Sequence, residues 1–171
     1  MGKRLTITVG DLFAGAGLFS QAFANQGAGI RFAIELDRHA AASYAENVGT
    51  HVRVASVRDL SCTPRVNVIV AGPPCQGFST LGSRDPKDVR NRLCLVVPIW
   101  AAKCRADVVV VENVPPFLKS GAWHQMRDAL EAKGYEVIAW TLDAEEYGVP
   151  QRRRRSFTVA SRIGMPTSPP K

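Results

Sequence analysis

Apolar positions along this chain fall into short β-rich runs separated by stretches of helical spacing. The runs predict strands over Leu5–Phe13, Arg31–Glu35, Val66–Ala71, Asp107–Glu112, Tyr135–Leu142 and Ser156–Arg162. The stretches between them predict helices over Phe19–Gln26, Ala40–Asn47, Leu93–Cys104 and Ala122–Lys133. Such alternation builds βαβ units, so the expected class is α/β around a mostly parallel sheet. The last two strands are separated by a Gly148-Val149-Pro150 turn and are expected to pair antiparallel at the sheet edge. No repeat or linker interrupts residues 1–163, which read as one domain, and the Pro-rich residues 164–171 read as a flexible tail.

Ligands of parallel sheets bind beyond the carboxyl ends of the strands, so chemistry is sought directly after each run. Four positions stand out: Phe13-Ala14-Gly15-Ala16-Gly17, Glu35-Leu36-Asp37, Gly72-Pro73-Pro74-Cys75-Gln76-Gly77 and Glu112-Asn113-Val114-Pro115. A Gly15-x-Gly17 turn with a carboxylate some twenty residues on suits a nucleotide, and equally suits a tight turn beside a surface Glu. In the third segment two prolines stiffen a loop that presents the Cys75 thiol, a candidate nucleophile, against the alternative of a buried structural cysteine. Glu112 closes an apolar strand, where a desolvated acid suits proton donation and a turn-satisfied carboxylate is the plainer reading. In Gln151-Arg152-Arg153-Arg154-Arg155, strand alternation sends Arg153 and Arg155 to one face and leaves Arg152 and Arg154 as solvated charge.

Composition narrows the class. With 171 residues, 46% hydrophobic and 22% charged, the chain can bury a core, which excludes disorder and fibrous classes. Its apolar runs are far shorter than the roughly 20 residues of a membrane span, and Met1-Gly2-Lys3-Arg4 does not open a signal peptide, so a cytoplasmic protein with no membrane partner is expected. Cys62, Cys75, Cys94 and Cys104 form no CxxC pair and no metal spacing with His39, His51 or His124, so free thiols and no metal are expected. The net charge of +7 is concentrated at the end: residues 151–171 hold six bases and no acid, which points to a polyanion contact there.

Taken together these segments resemble the cytosine-5 DNA methyltransferases that use S-adenosylmethionine. The resemblance is carried by Asp11 to Gly17, Glu35-Leu36-Asp37, Asp59-Leu60, Gly72 to Ser79 with its Pro-Cys-Gln core, Asp88 to Leu93, Glu112-Asn113-Val114 and Gln151 to Arg155, in the family's order. It implies a three-layer Rossmann-like methyltransferase fold. It also implies a Cys75 thiolate that adds to carbon 6 of cytosine and so activates carbon 5. Glu112 is implied to hold nitrogen 3 and the exocyclic amine, Arg155 to pair with the base carbonyl and Glu112, Arg153 to contact a phosphate or loop, and Asn113 to buttress the site. Gln76, Ser79 and Arg90 fall on the substrate side. The cofactor is implied to lie against Phe13, Ala14, Gly15 and Gly17 at its methionine part, Glu35 at the ribose, Leu36, Asp59 and Leu60 at the adenine, and Pro73 and Leu93 along the wall. DNA is the implied partner, with its cytosine flipped out of the duplex.

The chain departs from the family pattern in two ways. Leu18 and Ala22 stand where glycines are usual, and after Arg155 only 16 residues follow, where the family continues into a target-recognition domain. Three readings result. The first is the catalytic subunit of a split cytosine-5 methyltransferase whose second subunit joins near an exposed edge at Ser156–Arg162. The others are a minimal enzyme acting on a free nucleotide, nucleoside or RNA, and a non-catalytic relative that binds cofactor or nucleic acid.

Overall fold

The computed structural model describes residues 6–60, 64–74, 89–167 and 169, with the side chains of 89–91 outside that description. Seven strands form one sheet: β1 Thr8–Leu12, β2 Gly29–Glu35, β3 Val52–Val54, β4 Val68–Ala71, β5 Val108–Asn113, β6 Glu136–Asp143 and β7 Arg154–Ser161, in the spatial order β3-β2-β1-β4-β5-β7-β6. The helices are α1 Leu18–Asn25, α2 Arg38–Asn47, α3 Val97–Lys103 and α4 Gly121–Glu131. The chain thus forms an α/β sheet, parallel from β3 through β5.

Alternation along the central strands explains the layers. Leu12, Phe32, Ile34, Ile69, Val109 and Val111 point to one face and pack with Trp100 of α3 and with Met126 and Leu130 of α4. Fully burying side chains of this size contributes about 1.5–3 kcal/mol each. Val9, Val68 and Val70 point to the other face, against Phe19 and Phe23 of α1. Tyr44 of α2 packs there on Ala14 and Ala33. Gly10 is needed for the first face: a Cβ there would lie 2.3 Å from Phe32 Cζ, in the space of the ring that stacks on Trp100.

Two expectations are corrected. Ser156–Arg162 is not an exposed edge: β7 pairs antiparallel with β5 on one side and β6 on the other, so its backbone is bonded on both flanks and β6 is the edge. The run Leu93–Cys104 is not one helix. A 3-10 helix spans Val89–Val96 and α3 begins at Val97, because Pro98 lacks an N–H and fits only a first helical turn. The short β3, flanked by Thr50, His51 and Ser56, carried too little apolar signal to be foreseen. Among the described residues no helix is long and apolar enough to cross a membrane, and no group of three or more His, Cys, Asp or Glu could hold a metal ion. Cys94 and Cys104 are buried and in no disulfide among the described residues, while Cys62 lies outside them.

Candidate active site

The carboxyl ends of β1 to β4 surround a cavity of about 710 Å³. Phe13, Glu35, Leu36 and Leu93 line it, as the motif reading expects, and Gly72 and Pro74 close the side toward β4. Ile34, Asp37, Ala55, Ser56, Val57 and Arg58 also line it; the sequence reading marked Asp37 within Glu35-Leu36-Asp37 but assigned none of the six to the cofactor. Four of these six follow β3, and without that strand their place at a strand end was not readable. Ala14, Gly15, Gly17, Asp59, Leu60 and Pro73 are not in the lining.

Glu35 ties two turns together. Its Oε2 accepts the Gly15 N–H at 2.7 Å and its Oε1 accepts the Asp37 N–H at 2.8 Å. Each carboxylate oxygen keeps a lone pair for a further donor. Asp37 caps α2, accepting from the backbone N–H groups of Ala40 and His39, and these bonds hold its carboxyl below the usual range. Phe13 has φ 59°, a left-handed conformation that costs a non-glycine residue about 1–2 kcal/mol. Gly17 sits at φ 95° beneath the turn, where a Cβ would meet Val48 Cγ2 at 2.5 Å and Tyr44 Cδ2 at 2.8 Å. Its role in this geometry is the close seating of α1 on α2. Behind the opposite wall, the Trp100 indole N–H donates to the Val57 carbonyl at 2.7 Å and anchors the segment after β3.

Next to this cavity the ends of β4, β5 and β7 converge. Glu112 Oε1 pairs with Arg155 Nε at 2.9 Å, and an Arg153 terminal nitrogen lies 4.0 Å away. The other oxygen, Oε2, faces Gly72: a Cβ on that glycine would stand 3.9 Å from it. About a quarter of each of the Glu112 and Arg155 side chains is exposed, so the carboxylate's charge is met by guanidinium more than by water. Strand alternation accounts for the pair, since Glu112 stands opposite Phe157 and Arg155 opposite Leu142 on the same side. A second hollow of about 280 Å³ opens beside the pair, lined by Glu112, Arg153, Arg155, Phe157 and Tyr147 among others. Arg152 turns outward to Glu145 at 3.5 Å and is 91% exposed, which leaves it as solvated charge.

Asn113 points to the opposite face and is buried. Its Nδ2 donates to the Pro73 carbonyl at 3.1 Å and its Oδ1 accepts the Val114 N–H at 2.8 Å. The Ser156 hydroxyl lies 3.1 Å from the carbonyls of both Asn113 and Val114, so β7 grips the same turn. Cys75, Gln76, Ser79 and the Arg90 side chain lie outside the described residues.

With this geometry established, the chain can be compared with known proteins. The family model of C-5 cytosine-specific DNA methylase matches residues 7–169. Type II methyltransferase M.AgeI of Thalassovita gelatinovora is 36% identical over 94% of this chain and 41% of its own length. Type II methyltransferase M.DdeI of Desulfomicrobium norvegicum is 34% identical over 91% of this chain and 41% of its own. This chain therefore spans about two fifths of the length of these relatives. Among solved structures, the Dnmt2 methyltransferase of S. pombe superposes with a TM-score of 0.75 at 23% identity, covering 94% of this chain and 53% of that one, a likeness of fold. The family match extends over nearly the whole chain, and on that ground the chain belongs to the C-5 cytosine-specific DNA methylases.

Proposed function

We propose that residues 1–163 are the catalytic domain of a DNA cytosine-5 methyltransferase that uses S-adenosylmethionine. The observation that carries this reading is the meeting of two features at Gly72–Pro74: the cavity at the ends of β1 to β4, and the Glu112–Arg155 pair at the ends of β5 and β7. The cavity suits the cofactor. Leu36 is 71% exposed on its lining, a flat apolar contact for an adenine ring, and Glu35 retains acceptor capacity for ribose hydroxyls. Its volume falls within the roughly 300–1,000 Å³ of small-molecule sites. When bound, S-adenosylmethionine supplies an electrophilic methyl group on a sulfonium.

The remaining chemistry belongs to the chain. Cys75, two residues past the carbonyl held by Asn113, supplies the thiolate that adds to carbon 6 of cytosine, so that carbon 5 becomes nucleophilic. Glu112 Oε2, the oxygen that faces Gly72, accepts from the exocyclic amine and holds nitrogen 3 through a proton shared between them, while Arg155 fixes Oε1 and faces the base carbonyl. Arg153 contacts a phosphate of the flipped nucleotide.

Target recognition needs a further segment, which the split-enzyme reading places on a second polypeptide. On the α4 side of the sheet Val109, Val111 and Ala160 are buried, whereas on the other side Val108, Val110, Phe157 and Val159 are only partly covered and Ile138 is 37% exposed. The helices on that side, α1 and α2, pack over β1, β2 and β3. These strands pair antiparallel, an arrangement that can leave one face to water, so among the described residues it is the apolar character of that face, not the sheet type, that favours a further covering segment.

The test is methyl transfer from labelled S-adenosylmethionine to duplex DNA, RNA and free cytosine nucleotides, with Cys75→Ser as control. The expected result is no transfer by the chain alone and Cys75-dependent transfer to DNA when a polypeptide carrying the target-recognition portion is co-expressed. Transfer to a free nucleotide without a partner would replace this reading with a minimal enzyme. Silence under all conditions would leave a binding-only relative.

A further inference from the structure

The cavity leaves unused a second carboxylate on β1. Asp11 lies two residues before Phe13 and is 1% exposed. Its Oδ2 accepts from the Ser20 hydroxyl at 2.7 Å, Ser20 Oγ accepts from the Tyr44 hydroxyl at 2.7 Å, and that hydroxyl lies 2.8 Å from His51 Nε2. The row joins β1, α1, α2 and the segment before β3, and its outer member, His51, is partly exposed. Asp11 Oδ1 is buried, with no hydrogen-bond partner among the described residues.

Each hydroxyl in the row both donates and accepts, so the row has two self-consistent directions. In one, His51 Nε2–H donates to Tyr44, Tyr44 to Ser20, and Ser20 to ionised Asp11. In the other, protonated Asp11 donates to Ser20, Ser20 to Tyr44, and Tyr44 to a bare Nε2. The first becomes the second when His51 Nδ1 takes a proton from water and each hydrogen moves one partner inward. Nε2–H passes to the Tyr44 oxygen, the Tyr44 hydrogen to Ser20, and the Ser20 hydrogen to Asp11 Oδ2. His51 ends neutral with its hydrogen on Nδ1, and the change of charge falls on Asp11 alone.

We propose that this row carries protons between solvent and Asp11, and that the charge of Asp11, acting from behind the Phe13–Gly17 turn, sets the cavity's preference for a cationic sulfonium over the neutral thioether left after methyl transfer. Asp11 is thus a positioning residue and not part of the lining. The inference rests on the reading of the cavity as an S-adenosylmethionine site. Burial pushes the Asp11 carboxyl up to about 7 against the lowering effect of the Ser20 hydroxyl and backbone, so its charge changes near neutrality. The titratable groups facing it are Glu35 from β2, which raises it further, Tyr44 from α2 and, through Tyr44, His51. Ser20 of α1 and Val70 of β4 bring no charge. Burial lowers the His51 pKa, which keeps that ring neutral in both directions of the row.

Two measurements test the proposal. Calorimetric titration with S-adenosylmethionine and with its demethylated thioether, at about pH 5.5 and about pH 8.5, gives the affinity ratio on either side of the Asp11 transition. The ratio is expected to shift toward the sulfonium by about threefold or more at the higher pH, and to stay flat in Asp11→Asn. A flat ratio in the wild type, or an unchanged shift in Asp11→Asn, overturns the proposal. Nitrogen NMR of His51 reads the row without any ligand. Its tautomer is expected to change with pH in the wild type and in Ser20→Thr but not in Ser20→Ala, and a pH-independent tautomer in the wild type overturns the proposal. If neither ligand binds while the tautomer changes as expected, the reading of the cavity fails and the proton row stands.

Discussion

The Asn113 amide donates to the Pro73 carbonyl at 3.1 Å, so the end of β5 holds the loop that follows β4 two residues before Cys75. Because both groups are buried, Asn113→Ala leaves the Pro73 carbonyl unpaired at a cost of about 1–3 kcal/mol. The expected outcome is a lower urea midpoint together with slower alkylation of Cys75 in the folded protein. Unchanged alkylation would separate the amide from the placement of the thiol.

The Glu112–Arg155 contact predicts a split between two conservative changes. Arg155→Lys keeps the charge but loses the planar fork that meets Glu112 Oε1 through Nε at 2.9 Å, and Glu112→Gln keeps the shape but loses the charge. Each is expected to lower methyl transfer by about 10²–10³-fold in the partner-complemented protein, with cofactor affinity nearly unchanged. Comparable loss of cofactor binding would place the pair in the other cavity.

The two glycines of the first turn are expected to differ in stability. Gly17→Ala combines φ 95° with a Cβ 2.5 Å from Val48 and 2.8 Å from Tyr44, so overpacking adds to backbone strain and the cost is about 2–4 kcal/mol. Gly15 has φ 54° but open space around the Cβ position, so Gly15→Ala costs only the strain, about 1–2 kcal/mol. Denaturant unfolding of the two variants measures the difference.

Asp11 predicts the pH dependence of stability. Its folded pKa of about 7 exceeds the ordinary 3.8, so between these values the folded state holds a proton that the unfolded chain has lost. This contribution is fully present below about pH 3.8 and is lost as the pH rises through about 7. Unfolding free energy is therefore expected to fall between these limits, and Asp11→Asn to remove that part of the slope in a series of urea titrations.

Removing the Trp100 indole N–H should loosen one cavity wall without emptying the core. Trp100→Phe keeps the stack on Phe32, whose centroid lies 5.3 Å away, but leaves the Val57 carbonyl unpaired. A loss of about 1–3 kcal/mol is expected. It should be accompanied by weaker binding of S-adenosylmethionine in the same titration that tests Asp11.

Local order made much of this protein legible in the sequence. The apolar runs that became β1, β2, β4, β5, β6 and β7 are strong enough to be read one at a time, and the residues following β1, β2, β4 and β5 cluster at one end because parallel strands share a direction. Glu112 and Arg155 were selected by their strand positions, and the structure brings them to 2.9 Å. What the tertiary structure decided depends on partners distant in the chain. β7 lies between β5 and β6 because pairing is chosen by the whole sheet, whereas a run of alternating residues is the same at an edge or inside it. β3 exists because β2 offers it a ladder, and it brings Ser56 and Arg58 to the cavity. The row from His51 to Asp11 spans 40 residues of sequence and four segments of the fold. Single buried polar side chains carry no periodic signal, so only the packing of α1 and α2 on the sheet could place these four within hydrogen-bond distance.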